Sequence, residues 1–167
     1  PRQRAGSASI ATSRTKVTTA GLIWLGREHT HWAAQPIPGG TTVLGSTVER
    51  LTRATELESI CILCEDEAAA RAALGLSGGR AAEIRFIQVP ARGNVPDFVR
   101  TARLFAANCW RGGLAGATVF DEALVPAAIL QALEDLKADA ALVVGGAWSF
   151  VDTALCDELV RRHAENR

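Results

Sequence analysis

Residues 115–136 read AGATVFDEALVPAAILQALEDL. Ala117, Val119 and Phe120 carry the β-branched and aromatic character of a short strand that stops at Asp121-Glu122. Pro126 suits the first turn of a helix, where its missing N–H leaves nothing unsatisfied. Ile129, Leu130, Leu133 and Leu136 then recur at helical spacing and make one apolar stripe, the face a helix lays on a sheet. The stretch predicts a strand, a carboxylate pair in a short loop, and a covering helix. Open α/β sheets bind ligands outside the carboxyl ends of their strands, where Asp121 and Glu122 would lie. Those two are the first candidates for chemistry, against the competing reading of an acidic loop with no role.

The same alternation extends outward on both sides. Residues 19–25, TAGLIWL, form the continuous apolar run of a central parallel strand and end in Gly26-Arg27. An irregular loop with Pro36, Pro38, Gly39 and Gly40 follows. Ser46, with Glu49 three residues later, predicts a capped helix start, and Val48, Leu51 and Leu57 fit a helix ending near Glu56. Residues 59–64, SICILC, read as the second strand, and Glu65-Asp66-Glu67 puts acids at the start of a helix reaching Leu74. Residues 83–89, EIRFIQV, alternate apolar and polar, which suits a strand nearer an edge. Asn94 caps a further helix with Phe98, Val99, Ala102, Phe105 and Ala106 on its buried face. Residues 139–144, DAALVV, predict another buried strand, with Gly145, Gly146 and Trp148 as its exit loop. Asp152 caps a last helix whose Leu155, Leu159 and Val160 are expected inward.

Strands and helices in this alternation imply right-handed crossovers and a three-layer α/β/α sandwich with a mainly parallel sheet. Leu22, Ile62, Ile87, Val119 and Val143 are the expected buried positions of that sheet. A chain of 167 residues suits one domain. Residues 1–16, PRQRAGSASIATSRTK, hold Arg2, Arg4, Arg14 and Lys16 without an acid or apolar periodicity. They read as a disordered tail, with residues 17–167 as the domain.

Composition excludes some functions. With a formal net charge of zero there is no electrostatic footprint for nucleic acid, and no polybasic membrane patch. No apolar run approaches the roughly 20 residues that span a bilayer. The four cysteines are expected reduced, which makes the cytoplasm the default compartment. Cys61 and Cys64 have the spacing of a metal or redox pair. Inside a strand, however, residues three apart point to opposite faces, so ordinary core thiols are the better reading. His29 and His31 lack a nameable third ligand. Trp32, Trp110 and Trp148 fall in expected loops, where one could stack on a base or be half-buried structure. The dinucleotide fingerprint, the phosphate loop and the nucleophile elbow of α/β-hydrolases are all absent.

Residues 40–67, GTTVLGSTVERLTRATELESICILCEDE, resemble the loop, helix and second strand that follow the nucleotide loop in sugar-activating nucleotidyltransferases. ARGNVPDFVRTA from Ala91, FDEALVPAAIL from Phe120 and FVDTALCDELVRRH from Phe150 are similar to later family stretches in the same order. The resemblance is to nucleotide-diphospho-sugar transferase-like (GT-A-like) enzymes. Within them it points to the cytidylyltransferases of acylneuraminate and spore-coat polysaccharide synthesis. It implies transfer of a nucleotidyl group, cytidylyl first, from an NTP to a sugar or sugar acid.

On that match Asp121 takes the place of the metal-binding aspartate, with Glu122 assisting through water and Mg²⁺ as the cofactor. Arg27 takes a catalytic place, and Gly26, Arg27, Arg92 and Gly93 that of the nucleotide-binding residues. The family's chain usually runs on past a helix like the last one here into sugar-binding and dimer-forming segments. This chain therefore reads as a truncated piece or a reduced relative, and the resemblance leaves room for a homodimer. The departures define an alternative, a catalytically degenerate relative kept for binding or assembly. The family's first loop is glycine-rich with Arg and Lys, because N–H groups and cations must hold a triphosphate. Here Glu28 and His29 replace glycines, Arg27 is the one clear cation, and the Pro after the aspartate is missing.

Overall fold

The apolar run Thr19–Leu25 is buried along its whole length and forms β1, a central strand. The computed structural model describes residues 16–75, 84–89 and 126–166. Within them the main sheet also takes Ser59–Cys64 (β4), Arg85–Gln88 (β5) and Ala140–Gly145 (β6). Pro36–Ile37 (β2) and Thr41–Thr42 (β3) form a small antiparallel hairpin. The main strands lie in the order β5-β4-β1-β6 and pair in parallel. The helices are Thr30–Ala33 (α1), Val43–Leu51 (α2), Glu67–Leu74 (α3), Pro126–Leu136 (α4) and Thr153–Glu165 (α5).

Alternation along each strand sends side chains into two cores. Ile23, Leu25, Ile62, Cys64 and Val144 meet Ala33 of α1, Leu44 and Val48 of α2, Ala70 and Leu74 of α3 and Cys156 of α5. Leu22, Trp24, Cys61 and Leu63 face the other way, against Ala128 and Ala132 of α4. Helices thus cover both faces of a parallel sheet, the three-layer architecture expected. Cys61 and Cys64 lie in different cores, as their spacing requires. Burial pushes the Cys61 thiol up to about 12 and the Cys64 thiol up to about 11, the chemistry of core residues rather than of a reactive pair.

Several local expectations change. The cap of α2 is Thr42, not Ser46: its hydroxyl accepts from the Gly45 N–H at 3.0 Å. The same hydroxyl donates to the Ala73 and Leu74 carbonyls of α3 at 2.7 and 3.1 Å. Ser46 is inside the helix, and its hydroxyl donates to the Ser149 carbonyl. The helix ends at Leu51 rather than near Glu56, because Asp157 of α5 takes the Glu56 N–H at 2.9 Å and the Thr55 hydroxyl at 3.1 Å. That clasp also sets the rotation of α5. Cys156 and Val160 become its buried stripe, while Leu155 and Leu159, expected inward, are exposed. Leu22 and Ile62 are fully buried, but Ile87 and Val143 only partly so, on strands with one neighbour each among the described residues. Trp32 belongs to α1 rather than to a loop. The strand around Val119, the helix after Asn94, and Trp110 lie outside the described residues.

Candidate functional site

The chain builds outward from β1 through β4 to β5, then places β6 on the other side of β1. That reversal puts a topological switch point between β1 and β6, and in open α/β sheets the ligand crevice lies outside the carboxyl ends of such strands. Both strand ends carry glycine. Gly26 follows β1, is buried, and has extended backbone geometry. Gly145 ends β6 in register with Trp24, and the Gly146 N–H donates to the Trp24 carbonyl at 2.8 Å. A Cβ on Gly146 would sit 3.2 Å from that carbonyl and 3.0 Å from Leu25 Cδ1, so glycine is what lets the two strand exits lie side by side.

Arg27 is exposed at this edge, the first residue beyond Gly26. Gly26 and Arg27, two of the sequence-derived candidates, therefore stand at the switch point. The segment beyond them winds up at once, as a 3-10 turn over Arg27–His29 that runs into α1. The Gly26 carbonyl accepts from the His29 N–H at 3.0 Å and from the Thr30 hydroxyl at 3.2 Å. Ala33 is fully buried against the core, while Trp32 stays outside with the His31 ring 4.7 Å away. The hairpin that follows turns on Gly39 and Gly40, both at positive φ, where a glycine backbone is favoured. The first loop is helical where an open anion cradle would present several N–H groups together.

Asp121, Glu122, Arg92 and Gly93, the other residues expected at the site, lie outside the described residues. Among the described residues no group of three or more His, Cys, Asp and Glu side chains is placed to hold a metal. Gly145 and Gly146 were legible only as an exit loop. Their role depends on β6 lying beside β1, a long-range pairing that no local pattern encodes. Among the described residues no helix is long and apolar enough to cross a membrane.

No family profile matches the chain, and no curated protein does. Solved structures do match. A cytidylyltransferase from Leptospira borgpetersenii serovar Hardjo-bovis aligns with 90% of this chain and 50% of its own, at 17% identity and a TM-score of 0.54. CMP:2-keto-3-deoxy-manno-octonic acid synthetase, in a structure complexed with CTP, aligns with 89% of this chain and 48% of its own, at 8% identity and a TM-score of 0.51. The chain spans about half the length of these structures. What it shares with them is their fold: an α/β domain with a mainly parallel sheet, similar to that of these cytidylyltransferase structures.

Proposed function

We propose that the domain is a nucleotidyltransferase domain that takes an NTP, CTP first, at the β1–β6 switch point and passes its cytidylyl group to a sugar or sugar acid. The observation that carries this reading is the glycine-edged switch point, Gly26 beside Gly145-Gly146, on a fold shared with cytidylyltransferases. The acceptor hydroxyl attacks the α-phosphorus and pyrophosphate leaves. Arg27 contributes positive charge beside the phosphates, and Arg92 with Gly93 would add to it. Asp121 and Glu122 are the residues that would hold Mg²⁺, which supplies charge neutralisation during transfer. The compartment that fits reduced thiols and an NTP substrate is the cytoplasm.

One observation favours the second reading, a binding or assembly domain without turnover: the wound first loop, with Arg27 its one permanent cation. Titration with CTP and Mg²⁺, followed by calorimetry, separates the two. Binding that Arg27→Ala and Asp121→Asn each weaken, together with pyrophosphate release in the presence of a sugar acid, supports the enzyme. Binding untouched by Asp121→Asn removes the metal role. No binding with or without Mg²⁺ leaves the assembly reading.

A further inference from the structure

We propose that Trp148 is the platform for the sugar acceptor, an indole against which the apolar face of the sugar ring packs on the β6 side of the switch point. This rests on the nucleotidyltransferase reading and names a specificity residue within it. Among the described residues β1, α2, β4, α3 and β5 follow one another as a βαβαβ unit on one side of the crevice, with the first loop and its hairpin set between β1 and α2, the kind of half-sheet that takes one mononucleotide. A nucleotide over that half leaves the β6 side for the second substrate. Two large side chains follow the carboxyl end of β6, Trp148 and Phe150, and Trp148 is the one whose own backbone N–H closes back on Gly145.

Its position is fixed from several directions. The Trp148 N–H donates to the Gly145 carbonyl at 3.1 Å, closing a tight turn directly after the residue paired with Trp24. The Val151 N–H returns to the Trp148 carbonyl at 3.3 Å. From α2, the Ser46 hydroxyl donates to the Ser149 carbonyl at 3.2 Å and Arg50 donates to the Val151 carbonyl at 3.4 Å. These bonds hold the backbone of the turn, so the Cα of Trp148 has a defined place at the strand exit, the first requirement of a substrate-positioning group. The exposures agree: Trp148 is 36% exposed, against 59% for Trp32 and 86% for Phe150. Trp148 is thus the least exposed of the three while still open at the surface.

A sugar ring has C–H faces and hydroxyl edges, so an indole can take the face while leaving the reacting hydroxyl directed at the nucleotide. The nucleobase also has a face that could stack on an indole, and the test separates the two. Full-length wild type, Trp148→Phe and Trp148→Ala are compared with CTP and Mg²⁺. The acceptors are 2-keto-3-deoxy-manno-octonic acid and N-acetylneuraminic acid.

We expect Trp148→Ala to raise the KM for the sugar by about tenfold or more and to leave the CTP Kd within about twofold, with Trp148→Phe recovering most of the loss. Without turnover, sugar titration in the presence of CTP should change the part of the indole emission that Trp148→Phe removes. An equal loss of CTP affinity in Trp148→Ala assigns the ring to the base or to the fold and overturns the proposal. So does an unchanged KM, or an indole emission that neither sugar alters in a protein that binds CTP. A wild type that binds no CTP brings down the underlying reading, and this assignment with it.

Discussion

Gly45→Ala should destabilise this domain although it replaces glycine by the best helix former in the first turns of α2. On propensity alone the substitution gains about 1 kcal/mol. The site decides otherwise. A Cβ at Gly45 would run into the Thr41 hydroxyl, and it would lie 2.9 Å from the Leu74 carbonyl and 3.2 Å from Thr42 Oγ1. Thr41 can rotate away. The Leu74 carbonyl is backbone, and Thr42 Oγ1 is tied at once to Gly45, Ala73 and Leu74. Relieving the contact means moving the end of α3 off the start of α2. Overpacking of this kind costs about 1–3 kcal/mol, and weakening the Thr42 hydrogen bonds adds about 1 kcal/mol. The net loss is about 1–3 kcal/mol, or a fall in Tm of about 2–12 °C for a domain of this size. Urea melts of wild type, Gly45→Ala, Thr42→Val and the double variant measure it. Because both single changes act on the Thr42 pin, their losses should overlap and sum to more than the double variant shows. A Gly45→Ala protein as stable as wild type would refute the reasoning.

Lys137 closes α4 at φ 53, with the Lys137 and Ala138 N–H groups returning to the Glu134 and Leu133 carbonyls. That left-handed cap favours glycine, so Lys137→Gly should raise Tm by the equivalent of about 0.5–1 kcal/mol, and a lower Tm would argue against the cap. In a Cys109→Ser background the buried thiols of Cys61, Cys64 and Cys156 should resist a disulfide reagent at about pH 8 until the protein unfolds. Rapid native labelling would contradict their burial. Asp157 supplies an acid-sensitive clasp. Partial burial opposes its charge, but the Glu56 and Thr55 N–H groups, the Thr55 hydroxyl and Arg161 outweigh it and hold its carboxyl below the usual range. A lowered folded value means that its stabilisation is complete above the unfolded value of about 3.9 and is lost as pH falls through the folded one. Asp157→Asn should therefore lower Tm near neutral pH and leave little difference from wild type at about pH 2, and a constant difference at both would remove the charge from the account.

Strands were legible where apolar runs were long. TAGLIWL and SICILC become β1 and β4 with no change of boundary, because a strand buried on both faces needs continuous hydrophobicity. Helix detail was less legible, since tertiary contacts reassigned the residues that local rules rank. Ser46 has the capping pattern, yet Thr42 caps, because its hydroxyl also reaches α3, 31 residues along the chain. Leu155 and Leu159 outrank Cys156 in hydrophobicity, yet the Asp157 clasp turns α5 so that Cys156 is the buried one. Of the candidate site, Gly26 and Arg27 could be read from the end of the first apolar run. Gly146 could not, because its importance comes from a carbonyl on β1, more than a hundred residues away in sequence.

If the domain takes a nucleotide as proposed, the wound first loop has a bounded effect on its binding. Opening it to present backbone N–H groups means releasing the Gly26 carbonyl from the His29 N–H and the Thr30 hydroxyl. Each such bond contributes about 0.5–1.5 kcal/mol net, so the opened state lies about 1–3 kcal/mol above the wound one. A ligand that needs the opened state then binds about 5- to 150-fold more weakly than to a preformed cradle. Short 3-10 turns have poor hydrogen-bond geometry, which favours the lower end of that range. With Arg27 as the one permanent cation from Gly26 to Thr42, a second electropositive partner must share the triphosphate charge for binding to survive. On the proposed reading as a nucleotidyltransferase domain, the loop would shift the burden of phosphate binding onto metal-assisted contacts. Omitting Mg²⁺ should weaken CTP binding here more than in a protein whose own loop supplies several cations.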